Sequence, residues 1–228
     1  MTCDILQISD LHLGAHNCER KLINKVLRKI KNGSIVTKLL VIAGDLVNSP
    51  NLKKLKRKDW KIIHRLRKLQ KHCEVILLAG NHDPSKEVIE KEFGLKCQDE
   101  LVIESGGVKF LLCHGHLYDD FLDKHPIVTV VGDVFYNFSQ MIDRSHKVSR
   151  FLKRKSKTFI KAITKVGLGV AARAKELGCQ KAGHGHNHHK GEYSYDGIEV
   201  FDSGTFSEIP SSYLTINNGD VTIHKIWH

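Results

Sequence analysis

No apolar run in this 228-residue chain approaches the roughly 18 to 20 residues needed to span a bilayer, and no signal segment precedes the apolar stretch that opens at Ile5. Integral membrane and secreted classes are therefore not expected. The six cysteines, at positions 3, 18, 73, 97, 113 and 179, form no C-x-x-C pair, and three lie in or beside apolar runs. Reduced, mostly buried thiols in a cytoplasmic setting follow. The 15 histidines make no terminal run of the kind a tag leaves. Residues 144–175 contain eleven Lys or Arg and not one Asp or Glu. At 25.8 kDa the chain can bury a full core, and the simplest organisation is one domain over 1–228 with a helical, basic insertion at 121–178. A net charge of +11 and a pI near 9.3 favour anionic partners without separating nucleic acid, membrane surfaces and phosphate esters.

Against these absences stands a series of short polar groups, each following an apolar run. Asp10 and His12 follow Ile5, Leu6 and Ile8; Asp45 follows 39–43; Asn81 and His82 follow 75–79; His114 follows 108–113. Runs of this kind, with helical patterns between the first three, predict an α/β protein whose parallel strands are buried on both faces and whose active residues sit beyond the strand ends. Leu22, Ile23, Val26, Leu27 and Ile30 predict one helix, and a second is expected from about Asp59 with Ile62, Leu66, Leu69 and Cys73 along its stripe. From Leu101 onward the pattern becomes hairpin-like, with Gly106-Gly107 and Asn218-Gly219 as turns. The basic run at 53–58 is read as a solvated surface or an anion contact.

Carboxylate, imidazole and amide donors gathered from loops far apart in sequence suit a two-metal hydrolase. Asp10 and His12, two residues apart, can turn to one cation, and a carboxylate such as Asp45 can bridge two. Asn81 offers a neutral oxygen, while His82 offers a proton donor. Asp83 either orients His82 or caps the helix that starts after Ser85. His114 is followed at once by His116, Asp119, Asp120, Asp123 and His125, polarity an ordinary connection does not need. In the run 183–189 a G-H-x-H group can start at Gly183 or at Gly185. A strand that starts after Gly178 needs several residues to cross the sheet, which favours His186 and His188 as ligands and leaves His184 inside or beneath the site.

These residues resemble the calcineurin-like metallophosphoesterases: I-S-D-L-H-L-G (8–14), A-G-D (43–45), A-G-N-H-D (79–83), C-H-G-H (113–116) and G-H-N-H (185–188). The S-D-L-H-L-G opening, H-G-H-L-Y-D (114–119), His125, G-D-V-F-Y (132–136) and the basic insertion resemble the branch related to UDP-2,3-diacylglucosamine pyrophosphatase. The resemblance implies a four-layer α/β fold, two mixed β-sheets packed as a sandwich and flanked by helices, with the insertion as a lid. It implies one metal held by Asp10, His12, Asp45 and His188, another by Asp45, Asn81, His114 and His186, and His82 as the catalytic contact to phosphoryl oxygen. His116 stands where the lipid enzyme of that branch carries Asp, and Pro126 falls inside the insertion, so its lipid substrate is not carried over.

The expected activity is cleavage of a phosphoester or diphosphate bond by in-line attack of a hydroxide shared by two divalent cations, on a UDP-sugar-like or other small diphosphate. The donor set fits Mn²⁺, Fe²⁺ or Zn²⁺, and the resemblance leans to Mn²⁺. Asp83, His116, Asp119, His125 and His184 are expected to orient ligands or touch substrate. The basic insertion suggests peripheral docking on the inner face of a membrane. A nuclease or broad phosphodiesterase using the same metals is the first rival, and a metal-binding scaffold with a retired site the second; no ligand position is lost here, which counts against the scaffold.

Overall fold

The computed structural model describes residues 1–119 and 157–228. His125, Asp120, Asp123, Pro126 and the first part of the basic insertion lie outside the described residues. Among the described residues eleven strands form two mixed sheets. The first has the order β11 (Asp220–Ile226), β10 (Ser211–Asn217), β1 (Thr2–Ile8), β2 (Val36–Ala43), β3 (Glu74–Leu78), β4 (Lys96–Gln98), with β1 to β4 parallel and β10 antiparallel to β1. The second has the order β5 (Glu100–Ser105), β6 (Val108–Cys113), β7 (Lys181–His184), β9 (Ile198–Asp202), β8 (Gly191–Tyr195), in which β6, β7 and β9 are parallel. The two expected hairpins, 5-6 and 10-11, are present, with positive φ at all four residues of their turns Gly106-Gly107 and Asn218-Gly219, and a third, 8-9, joins them.

Three hydrophobic clusters correspond to the three gaps between four layers. Helices α1 (Arg20–Lys31) and α2 (Arg57–Leu69), with α3 (Lys86–Val88, widening into a π turn over Ile89–Phe93), cover the outer face of the first sheet. Alternate residues of β2 and β3, Leu39, Val41, Ile76 and Leu78, face Phe110, Leu112 and Phe201 across the gap between sheets. Strand β2 is buried on both sides from Leu39 to Ala43, as its unbroken apolar run requires. The fourth layer is α4 (Lys157–Glu176), whose Val166, Val170, Ala171 and Ala174 pack on Leu111, Cys113, Ala182 and Val200. This helix falls within the stretch read as an insertion, yet its second half is one of the packed layers. No helix among the described residues is long and apolar enough to cross a membrane.

Several local readings differ. Helix α2 begins at Arg57 rather than Asp59, because Asp59 caps it by accepting the Lys56 N–H at 2.9 Å, and Cys73 lies beyond its end. Asp59 is fully buried and also accepts from Arg20 at 2.5 Å, joining the starts of α1 and α2. All six cysteines are free and buried.

The far end of the sandwich is tied by Asp4, which accepts from Lys38, the Ser105 hydroxyl and the Asn218 N–H at 2.7, 2.7 and 3.0 Å. The hydrogen bond from Lys38, then those from Ser105 and Asn218, hold its carboxyl well below the usual carboxylate range. A depressed folded pKa gives stability that is present above the unfolded value near 4 and lost as pH falls through the folded one. Asp4→Asn is therefore expected to cost about 1 kcal/mol at pH 7, discounted for the exposed lysine. The gap between urea titrations of the two proteins should start to close below about pH 4 and go on closing as pH falls further; a gap that widens on acidification would refute the assignment.

Candidate metal centre

The parallel strands of both sheets end at one edge of the sandwich, and five loops meet there. Asp10 and His12 follow β1, Asp45 follows β2, Asn81 and His82 follow β3, His114 follows β6, and His186 and His188 follow β7. Seven described non-glycine residues have positive φ. Two, Asp196 and Asn218, are hairpin turns; the other five are Asp10, His12, Asp45, His186 and His188. Each left-handed residue costs energy that surrounding structure has to offset, and such strain gathers where side chains must be aimed. Close packing does part of the holding. A Cβ at Gly44 would lie 2.3 Å from the His114 ring, and one at Gly80 would lie 2.3 Å from Asp45 Oδ1.

Asp45 Oδ2 occupies the centre, 3.5 Å from His114 Nε2, 3.6 Å from His12 Nε2 and 3.9 Å from His82 Nε2. Its other oxygen accepts the His82 N–H at 3.0 Å. Asp10 Oδ1 lies 3.1 Å from His188 Nε2 and 3.8 Å from His12 Nε2, and the two imidazole nitrogens are 3.0 Å apart. Two groups of donor atoms converge within 4.8 Å: Asp10, His12 and His188, and Asp10, Asp45 and His114. Asn81 Oδ1 is 3.2 Å from His114 Nε2.

The anchoring of each ring shows which nitrogen it presents. His114 Nδ1 is 2.8 Å from the Ala43 carbonyl oxygen and His188 Nδ1 3.4 Å from Ser207 Oγ, so both turn Nε2 inward. His186 is reversed, with Nε2 3.0 Å from Asp119 Oδ2, which leaves Nδ1 as its available donor. His184 is buried with Nδ1 2.8 Å from the Gly185 carbonyl oxygen, and neither it nor the expected ligand His186 belongs to a converging group. His116 lies beside His114 and His186, at ring separations of 5.3 and 6.5 Å. Asp83 neither caps α3 nor touches His82; it accepts from the Val47 and Gly80 N–H groups, pinning the loops that carry Asp45 and Asn81.

The protonation pattern is that of a cation site. Burial pushes His12, His116 and His184 down to about 4, leaving neutral imidazoles. Burial opposes ionisation of Asp10, but His188 holds it down to about 2; Asp45 is held well below its usual range by His114 despite its burial. Burial would lower His114 too, yet Asp45 raises it to about 10, so a proton sits where positive charge is wanted. Burial and then Asp45 lift Asp83 to about 7. His12 Nδ1 is buried without a hydrogen-bond partner, and Asp10 Oδ1 is buried with His188 Nε2 at 3.1 Å as its near neighbour but no well-aligned hydrogen bond, a costly arrangement for a site meant to hold nothing. The donor set and the two buried carboxylates, Asp10 and Asp45, both fit divalent cations.

A third set of residues had no role in the sequence reading. Ser9 Oγ lies 2.8 Å from Ser203 Oγ and donates to the Gly204 carbonyl, Thr205 Oγ1 donates to the Asp10 carbonyl at 3.0 Å, and Ser207 reaches His188. The signal was present: D-S-G-T-F-S at 202–207 follows an apolar strand just as the ligand groups do.

A family model described as calcineurin-like phosphoesterase matches residues 4–224. The chain belongs to this family. It is a metallophosphoesterase, a hydrolase of phosphoester bonds, from a family that works with two metal ions. Among curated proteins no match is found. Similar solved structures include a novel archaeal phosphodiesterase, at 13% identity with 97% of this chain and 99% of that one covered and a TM-score of 0.51. Vps29 from Chaetomium thermophilum follows at 12%, 97% and 96%, TM-score 0.51, and Zn²⁺-complexed Vps29 from Entamoeba histolytica at 15%, 97% and 97%, TM-score 0.50. At these identities they show the shared fold.

The histidine register has a direct test. His188→Ala is expected to weaken metal binding by about 100-fold or more, whereas His184→Ala should keep two ions per chain and lose mainly stability. Metal titration decides, and severe metal loss in His184→Ala beside a normal His188→Ala would move the ligands to the Gly183 start.

Proposed function

We propose that this phosphoesterase uses two cations, one held by Asp10, His12, Asp45 and His188 and the other by Asp45, Asn81, His114 and His186, to hydrolyse a small diphosphate of the UDP-sugar type. The position of Asp45 Oδ2 between His12 and His114, 3.6 and 3.5 Å from their Nε2 atoms, is the observation that carries the shared carboxylate. The mixed imidazole, amide and carboxylate set suits Mn²⁺, with Fe²⁺ or Zn²⁺ as alternatives; the Entamoeba structure was solved as a Zn²⁺ complex.

When bound, two divalent cations would supply Lewis acidity, lowering the pKa of water and neutralising phosphoryl oxygens. The chain's own residues would do the rest. Asp10 and Asp45 provide negative charge in a buried pocket, where it is worth more than in water. His82, with its side chain 44% exposed and its backbone fixed on Asp45, is placed to donate to a phosphoryl or leaving oxygen. Asp119 holds the His186 ring through Nε2, which would leave Nδ1 for a cation. Asp119→Asn should weaken metal affinity by about 10- to 100-fold, and Asp119→Glu should restore part of it; unchanged affinity in Asp119→Asn would remove Asp119 from this role.

Turnover by the Mn²⁺-loaded protein, compared across UDP-sugars, other nucleoside diphosphates, cyclic nucleotides and single-stranded DNA, tests the substrate class. Preference for the diphosphates is expected. Cleavage of DNA with no diphosphate turnover would replace this reading with the nuclease.

A further inference from the structure

The positive charge of this protein is concentrated in two stretches, the basic segment 144–175 and residues 19–73. Residues 19–73 contain 17 Lys or Arg against three acids, a net +14, while the remainder, with 19 against 22, is net −3. Folding puts that excess on one layer, since α1 and α2 pack together with their apolar stripes turned to the first sheet. Lys21, Arg28 and Lys29 of α1 and Arg57, Lys61 and Lys68 of α2 are left exposed.

None of the three acids neutralises this surface. Asp45 is buried in the metal centre, Asp59 is buried and taken by Arg20, and Glu19 pairs with His228 at 3.1 Å. Among the described residues the Arg20–Asp59 contact is the one ion pair that a cation of α1 or α2 makes. The array is also ordered. Positions 57, 61, 65 and 68 of α2 recur on one side, and a four-residue step advances the helix by about 6 Å. At its start the layer reaches the site, for the Lys54 backbone lies against Gly14, two residues beyond His12.

We propose that the α1–α2 face docks the phosphate backbone of a nucleic-acid strand outside the metal centre. Regular, unpaired cations match a polyanion bound through its phosphates without base readout. A lipid surface fits less well, because membrane-docking helices carry large apolar residues outward. Here the apolar stripes are spent on the core, Val102, Leu117, Ile160 and Leu168 lie on other elements, and a single exposed aromatic, Trp227, whose carbonyl accepts from Lys25, flanks α1. The surface goes beyond the diphosphate reading and stands whichever bond the centre cleaves.

The test uses the full chain and a labelled 20-nucleotide oligothymidylate, with anisotropy read from about 50 to 200 mM salt. Wild type should bind with a steep salt dependence. The triple variant Lys58→Glu, Lys61→Glu, Lys68→Glu should bind at least about 30-fold more weakly, with a log–log salt slope shallower by about 2, and should hydrolyse a small chromogenic phosphodiester at the wild-type rate. The milder Lys61→Gln, Lys68→Gln pair, which leaves no new repulsion, should show the same trend with an unchanged melting temperature. Wild-type affinity in both variants, salt-independent binding, or binding to phosphatidylserine vesicles in place of the oligonucleotide would overturn the proposal.

Discussion

Asp45→Asn is expected to lower kcat/KM by at least about 1,000-fold, roughly 4 kcal/mol of lost transition-state stabilisation, and to leave one bound metal ion or none in place of two. The substitution keeps the shape of the side chain and removes its charge. In this centre the charge matters more than the shape, since Oδ2 lies within 3.5 to 3.9 Å of three imidazoles while Oδ1 holds the His82 backbone. An amide can still accept that backbone bond, so the loop should survive. Metal analysis beside steady-state kinetics gives the answer, and two ions per chain with full turnover would end the shared-ligand assignment.

His82→Ala should behave differently: both metals retained, kcat down by about 100- to 1,000-fold, and KM changed little. Its ring is the most solvent-exposed of those around Asp45, which suits a group that meets substrate rather than one that closes a coordination shell. The backbone N–H to Asp45, which alanine preserves, should keep that carboxylate in place. Loss of metal in this variant would show that the imidazole is a ligand. A rise in KM with kcat intact would show that it binds ground state and transition state alike.

Much of the fold was legible because long buried strands announce themselves. Strands β1, β2, β3 and β6 are apolar runs that end in a polar donor, and α1 shows its buried stripe residue by residue. Strands β4 and β8 were missed: β4 has three residues, and β8 alternates between half-buried and exposed positions on an edge. Asp83 was misplaced for a different reason. A carboxylate before a helix looks like a cap, and nothing local says that the backbone of Val47, 36 residues away, will claim it.

In the metal centre the sequence by itself determined which donors are present and that each ends a strand, because apolar periodicity and side-chain chemistry are local properties. It favoured His186 and His188 among the late histidines without settling the register, and the strand over Lys181–His184 then placed both beyond its end. Only the tertiary structure decided that Asp45 Oδ2 stands between His12 and His114, that His186 spends Nε2 on Asp119 where His114 and His188 are anchored through Nδ1, and that Thr205 and Ser207 support Asp10 and His188. His12 and His188 meet across 176 residues, and Ser9 and Ser203 across 194. Such distances are set by the pairing of β1 with β10 and by the packing of one sheet on the other. The left-handed backbone at five donors is held there by the same long-range contacts, so no local pattern could have encoded it.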